Sequence, residues 1–381
     1  MFDPNNRVNP HDSLPRHAQV QKLLRDMVTS GKLKPGDKIP AEVDIADSLG
    51  VSKMTVNKAL LALTADGLFV REVGRGTFVA SPVSLPSSTQ TERPRLVLSF
   101  VEGAKNVLDS DYYGTIYRGV ADAVQNEGTR DPARRVRLDL APLAAQDYQT
   151  ENERDPADGR LVIAPRVQSV PSLEALWQAG QSLVVVGASW PMMRVPSVDS
   201  DNTGGAMEAV RHLIGLGHTR IALLFAEEET ANTQDRITGY RRALTLAGLP
   251  QNPDLEIRSD AAWRIGDTAR QRLSALLRGP QPVTALFAAG HYLSLEAKNV
   301  AREAGLRVPD DVSVVGYDDP ISAQLVYPPL TTVRQPLYDM GRRAAERLMR
   351  LVWGEDKRES IREMLPTRLI VRQSTTSCKH G

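Results

Sequence analysis

Apolar positions along the chain follow two rhythms, and the change between them falls near residue 95. Before it, helical spacing dominates. Val20, Leu23, Leu24, Met27 and Val28 share one face of a helix expected from Pro15 to Ser30, ending at Gly31 and the Lys34-Pro35-Gly36 turn. A second helix, Ala41 to Leu49, carries Val43, Ile45, Ala46 and Leu49 and stops at Gly50. Ser52 stands where an N-cap belongs, and Val56, Ala59, Leu60 and Leu63 recur behind it, which turns Lys53, Met54, Asn57 and Lys58 outward. The period then drops to two. Leu68 to Val73 and Thr77 to Ala80 read as strands around a Gly74-Arg75-Gly76 tip that needs positive φ.

Ser81 to Pro94 is rich in Ser, Thr and Pro and reads as a linker. Beyond it, short apolar runs alternate with amphipathic segments. Strands are expected at Leu96–Val101, Val136–Ala141, Leu161–Ala164, Leu183–Val186, Ile221–Phe225, Ala285–Ala288 and Val312–Tyr317. The intervening helices include one with a stripe of Ile116, Val120, Ala123 and Val124, and a long one from Leu337 to Val352. This alternation predicts an α/β class with parallel sheets wrapped by helices on both faces, and ligands beyond the carboxyl ends of the strands.

Charge sharpens the reading of the first eighty residues. Helix, short turn, helix and a two-stranded wing is the order of a DNA-reading unit, and no carboxylate lies between Asp47 and Asp66. A helix-turn-helix pattern alone also describes two packed core helices; the wing distinguishes the two readings. Lys53 at the first helical position works against the helix dipole unless a phosphate lies near, whereas Asn57 and Lys58 also fit a merely solvated face. Residues 1–80 hold eleven Lys and Arg against nine Asp and Glu, and the whole chain of 381 residues carries a net charge of +1, which favours a local, shaped contact over general coating of nucleic acid. The one cysteine, Cys378, permits no internal disulfide, no run is long enough to span a membrane, and the N-terminus is polar, so a cytoplasmic protein is expected. Nucleophile-elbow, zinc-type His-Glu, phosphate-loop and paired-cysteine patterns are all missing, so no catalysis, metal or cofactor is expected.

Two family resemblances follow from these motifs. Residues 14–80, with KPGDKIPAEVDIADSLGVSKMTVNKAL and GRGTFVA, resemble the winged-helix domain of GntR-type bacterial regulators. The resemblance implies DNA contacts by Ser52, Lys53, Thr55, Asn57, Lys58, Arg75 and Gly76; Val43 and Asn57 stand where the family commonly has arginine. Residues 95–375 resemble the effector domain of LacI-type repressors, which is similar to two-lobed periplasmic sugar-binding proteins. DYYGTIYRGVADAVQNEG, DGRLVIAP, RITGYRRAL, GLRVPDDVSVVGYDD and PPLTTVRQPLYDMGRRAAERL carry that resemblance. The pair together is similar to arabinose-responsive repressors.

The second resemblance implies a homodimer on a double-stranded operator, released or recruited by a small-molecule effector, most simply a sugar. Arg236 and Asp318 match ligand-bonding positions, and Tyr112, Tyr113, Ser189 and Trp190 lie at the lip of the first lobe. For these aromatics, ordinary packing is as good a reading as stacking on a sugar ring. Gly290-His291 replaces the usual Asn-Asp pair, so His291 is either a new ligand contact or a structural histidine, and His218 reads as structural at a helix-to-strand turn. The rival expectations are a cytoplasmic small-molecule-binding protein, or an enzyme, with a degenerate DNA-binding domain.

Overall fold

The computed structural model describes residues 16–29, 32–34, 36–65, 68–72, 76–79, 93–101, 110–143, 148, 152–153, 156–226, 230–259 and 264–378. They form two compact units that divide between Thr91 and Glu92.

In the N-terminal unit, α1 (Arg16–Thr29), α2 (Glu42–Leu49) and α3 (Lys53–Ala65) precede a hairpin of β1 (Phe69–Glu72) and β2 (Gly76–Val79). Val20, Leu24, Ile45, Leu49, Val56, Leu63, Phe69 and Val79 close one core. Gly50 ends α2 at φ 66°, a left-handed conformation that costs a glycine little. The α2 stripe differs from expectation at Val43, which is 49% exposed. A helix of eight residues has room for one narrow face, and Ile45, Ala46 and Leu49 fill it. The expected wing tip at Gly74 and Arg75 lies outside the described residues, while Gly76 has φ 121°.

The second unit has two lobes, each built on a six-stranded sheet. In lobe A, β3 (Arg95–Val101), β4 (Arg137–Leu143), β5 (Gly159–Ile163), β6 (Ser182–Val186), β7 (Ser197–Ser200) and β13 (Arg362–Leu365) run in the order β13-β7-β6-β5-β3-β4, all parallel. Lobe B holds β8 (Ile221–Phe225), β9 (Glu256–Arg258), β10 (Ala285–Ala288), β11 (Ser313–Tyr317), β12 (Thr331–Arg334) and β14 (Arg368–Ile370). Their order is β14-β12-β11-β10-β8-β9, parallel except for β14. The fully buried strands are continuous apolar runs such as LVVV and IALL because helices cover both faces.

Two lobe A helices, α4 (Asp111–Arg130) and α5 (Val170–Gln178), precede α6 (Asn202–Gly215) and α7 (Ala231–Leu246) of lobe B. Lobe B continues with α8 (Asp267–Arg278), α9 (His291–Glu303) and the short α10 (Ser322–Leu325), and α11 (Leu337–Val352) returns to lobe A against α4. Where α4 and α11 cross, a Cβ on Gly119 would lie 2.0 Å from the Tyr338 carbonyl oxygen, and one on Gly341 2.1 Å from that of Ile116. Only glycine permits that approach.

The chain passes between the lobes three times: from β7 into α6, from β12 into α11, and from β13 to β14. The first passage is clamped by the third. Asp201 N–H donates to the Leu365 carbonyl at 2.8 Å, and Thr367 Oγ1 donates to the Asp201 carbonyl at 3.3 Å.

Candidate effector cleft and DNA-reading helix

Two parallel sheets aimed at each other leave a crevice at the carboxyl ends of their strands. It is a cleft of about 830 Å³, lined from lobe A by Tyr112, Tyr113, Ala164 and Gly187 and from lobe B by Asn232, Arg236, His291 and Asp318. That volume falls in the usual range for a small-molecule site. Ala164 and Asp318 are the two non-glycine residues with positive φ among the described residues, at 46° and 69°. Such backbone strain tends to gather at functional sites, and both line the cleft.

Arg236 sits well inside α7, buried and held on several sides. Nε donates to Asn202 Oδ1 at 3.0 Å and Nη1 to the Ala289 carbonyl at 2.9 Å, while the guanidinium carbon lies 3.8 Å from the centre of the Tyr317 ring. Nη2 stands 3.7 Å from Asp318 Oδ1, so both groups face the same space. Asp318 also accepts a hydrogen bond from Gln335 Nε2, and its carbonyl accepts one from Thr332 Oγ1 at 2.7 Å, which fixes the strained backbone.

His291 begins α9, is buried, and shares a 2.8 Å hydrogen bond between Nε2 and Ser322 Oγ. Burial lowers its pKa, with Asp318, Asp111 and Asp319 opposing, so the ring is held toward its neutral form. Its Nδ1 is buried without a partner, and so are Tyr112 Oη and Asn232 Oδ1. Asn232 Nδ2 donates to the Gly187 carbonyl across the cleft at 3.0 Å. A carbonyl only accepts, so the amide orientation is set and Oδ1 is left to receive a donor. At Gly187, φ is 70°, and a Cβ there would lie 2.2 Å from Tyr112 Oη, so glycine makes room for the phenol. Burial, with the charge of Asp199 next, raises the Tyr112 pKa and keeps the phenol protonated. Buried polar groups without partners cost about 1–3 kcal/mol each, and a polyhydroxylated molecule would satisfy these three.

The expected lip residues fare differently. Tyr113 lines the cleft, its N–H received by the Ser110 hydroxyl that caps α4. Ser189 and Trp190 are not among the lining residues. Ser189 Oγ accepts from Arg362 Nε at 2.6 Å and from Ser197 Oγ at 3.2 Å, and Trp190 packs against the lobe A core. The lip is formed two residues earlier, by Gly187 and Ala188. Tyr112, expected at the lip beside Tyr113, does line the cleft, whereas Asn232 and Gln335 escaped sequence reasoning. His218 bridges Thr284 Oγ1 at 2.9 Å, Ser313 Oγ at 3.1 Å and the Thr376 carbonyl at 3.0 Å, a structural arrangement.

In the N-terminal unit, Ser52 Oγ accepts from Thr55 N–H at 3.2 Å and shares a 2.8 Å hydrogen bond with Thr55 Oγ1, so both hydroxyls stand at the start of α3. Lys53, Met54 and Lys58 are exposed on the same helix. Asn57 is half-buried, and its Nδ2 donates to Glu42 Oε1 at 2.9 Å, which pins α3 to α2. Arg75 lies outside the described residues.

A winged helix joined to a two-lobed α/β unit with a polar interlobe cleft defines the class of ligand-sensing DNA-binding proteins. Residues 16–79 match the family described as bacterial regulatory proteins, gntR family, and residues 210–375 match the periplasmic binding protein-like domain. The arabinose metabolism transcriptional repressor of Geobacillus stearothermophilus is 30% identical over 378 residues, covering 95% of this chain and 98% of that protein. The HTH-type transcriptional repressor CytR of Escherichia coli strain K12 is 29% identical over 357 residues, covering 90% and 98%. A solved complex of the transcriptional regulator CelR with cellobiose superimposes with a TM-score of 0.64 at 29% identity, covering 88% of this chain and 100% of that one. The chain belongs to the GntR-type bacterial regulators that carry a LacI-type, periplasmic-binding-protein-like effector domain. It is a DNA-binding transcriptional regulator.

Proposed function

We propose that the protein is a cytoplasmic, sugar-responsive repressor of carbohydrate-related genes that binds a partly palindromic operator as a homodimer. The working division is residues 14–80 for DNA reading, 81–94 as linker and 95–375 for effector binding and dimerisation. The reading is carried by the cleft: Arg236 and Asp318 face one space, with the unpartnered Tyr112 Oη, Asn232 Oδ1 and His291 Nδ1 around it. Repressors of arabinose metabolism and a cellobiose-bound regulator among the similar proteins support a sugar as effector.

The effector contacts are Tyr112, Tyr113, Asn232, Arg236, His291 and Asp318; Ser189 and Trp190 are left out because other partners occupy them. DNA contacts are Ser52, Lys53, Thr55, Lys58 and the Arg75-Gly76 tip, with Asn57 positioned by Glu42. One winged helix offers few base contacts, so two readers on successive half-sites suit the fold. Ile321, Leu325 and Tyr327 are exposed apolar residues on one stretch of lobe B and support a second copy as their cover.

A thermal-shift screen of purified protein against pentoses, hexoses, disaccharides and nucleosides tests the sensor. A sugar at 100 times its Kd stabilises the folded state by about 2.7 kcal/mol and raises Tm. The same sugar is expected to lower operator affinity. No shift with any pentose, hexose or disaccharide overturns the sugar reading.

A further inference from the structure

Hydrogen bonds and one ion pair link the cleft to the first lobe crossover in a closed circuit. Ser200 Oγ donates to Gln335 Oε1 at 2.6 Å, and Gln335 Nε2 donates to Asp318 Oδ1. Arg236 Nη2 stands 3.7 Å from that same oxygen, and Arg236 Nε donates to Asn202 Oδ1 at 3.0 Å. Asn202 Nδ2 and Ser200 N–H then meet on Asp199 Oδ1, at 3.5 Å and 2.7 Å. Ser200, Asn202 and Asp199 are fully buried, and Arg236 and Gln335 nearly so.

The polarity of one arm of this circuit is fixed by chemistry. A carboxylate accepts, so the Gln335 amide nitrogen must face Asp318; its oxygen is then left for Ser200, whose hydroxyl must donate. Gln335 lies on the second crossover and Ser200 on the first, so one amide ties two of the three passages to a carboxyl on the cleft wall. The other arm, through Arg236, reaches Asn202 and not the Ser200 hydroxyl. In a dry interior such a chain is polarised along its length, and a change at one end is felt at the other.

We propose that Gln335 is a positioning residue that ties Asp318 to the Ser200 crossover, so that a hydroxyl presented to Asp318 acts on the crossover through the Gln335 amide. The inference rests on the cleft being the effector site and adds the route by which occupancy leaves it. A route of this kind needs a measured coupling between residues that do not touch. Ser200 and Asp318 share no hydrogen bond, and Gln335 bonds to both.

The test is a double-mutant cycle in the full-length protein with Ser200→Ala and Asp318→Gly, made in the wild type and again in Gln335→Leu. Glycine is chosen at 318 because it removes the carboxyl and accepts the 69° φ. Urea unfolding of the second unit is read together with amide exchange at residues 200–202. In the wild-type background, the double variant's unfolding constant is expected to depart from the product of the single effects by about fivefold. Asp318→Gly is expected to speed exchange at residues 200–202. The coupling disappears in Gln335→Leu, or in Gln335→Met should the leucine variant fail to fold. Additivity in the wild-type background overturns the proposal, and so does a coupling that survives loss of the amide. No reading needs a ligand, so an empty sugar screen defeats the effector assignment and leaves the result of the cycle standing.

Discussion

Asp199 shows how far burial alone can move a group in this protein. It is fully buried at the end of β7, one oxygen accepting from Ser200 N–H and the other without a partner. Burial pushes its pKa from 3.8 to about 7; Asp235 adds to the rise, and the Ser200 N–H, Arg236 and Arg362 oppose it. The folded state therefore holds this proton more tightly than the unfolded chain does. The stability it contributes is complete below 3.8 and is lost as pH rises to about 7. Asp199→Asn keeps the acceptor and removes the titration. The variant is expected to gain up to about 4 kcal/mol at pH 8 relative to pH 4, at about 1.4 kcal/mol per pKa unit, measured as urea midpoints across that range. At the same scale, Arg236→Ala and Asp318→Gly are expected to cost about 1.5–3 kcal/mol of effector binding each, by calorimetry, with operator affinity of the free protein retained. Arg236 and Asp318 were legible because each sits in a recognisable run, RITGYRRAL and VVGYDD. Nothing local marks Asn232 or Gln335, whose importance comes from partners 45 and 135 positions away in the chain.

Among the elements, α3 carries the DNA prediction. Lys53→Ala is expected to weaken operator binding, reduce the salt dependence by about one counterion, and leave the effector-induced rise in Tm unchanged. Equal operator affinity in wild type and variant would remove Lys53 from the interface. The α4–α11 crossing carries the packing prediction. Gly341→Ala places a methyl against the Ile116 carbonyl, so the helices must separate, and a loss of about 1–3 kcal/mol is expected in chemical denaturation. The seven apolar runs expected as strands correspond to β3, β4, β5, β6, β8, β10 and β11, all of which but the edge strand β4 lie in the sheet interiors. Those missed, β7, β9, β12, β13 and β14, are three or four residues long and hold Ser, Thr, Asp, Glu or Arg. Each is a strand because a neighbouring strand holds it there, and all but β9 adjoin a passage between the lobes. Val43 erred the other way, an apolar residue at helical spacing that the small core had no room to take.

For the whole molecule, the last described residues act as a strap over lobe B. Ser374 Oγ donates to the Val314 carbonyl at 2.6 Å, Thr375 Oγ1 meets His212 Nε2 at 3.0 Å, and the Thr376 carbonyl meets His218 Nε2 at 3.0 Å. Burial lowers both histidine pKa values below 6.5, and the nearby His218 lowers that of His212 further. Their contribution to stability is present above 6.5 and is lost as pH falls through the lowered values, opposite in sign to that of Asp199. His218→Gln is expected to flatten the acid side of the melting curve, which a pH series of Tm checks. Association is a property of the same scale. Leu325 is 77% exposed and Tyr327 91% exposed, and Leu325→Asp is expected to convert the proposed dimer to a monomer in analytical ultracentrifugation, with weaker operator binding as a consequence.

The sequence by itself determined the winged helix and the parallel α/β lobes, and it singled out Tyr113, Arg236, His291 and Asp318, which line the cleft. These rest on local rules: helical or alternate spacing, a capping serine, a glycine stop, a strand that must bury both faces. Only the tertiary structure decided which lip residues reach the cleft, that Ser189 and Trp190 turn to other partners, and that Asn57 is held by Glu42. It alone closed the circuit from Asp318 to Ser200. A side chain's partner depends on how distant strands come to lie side by side, and no local pattern records that.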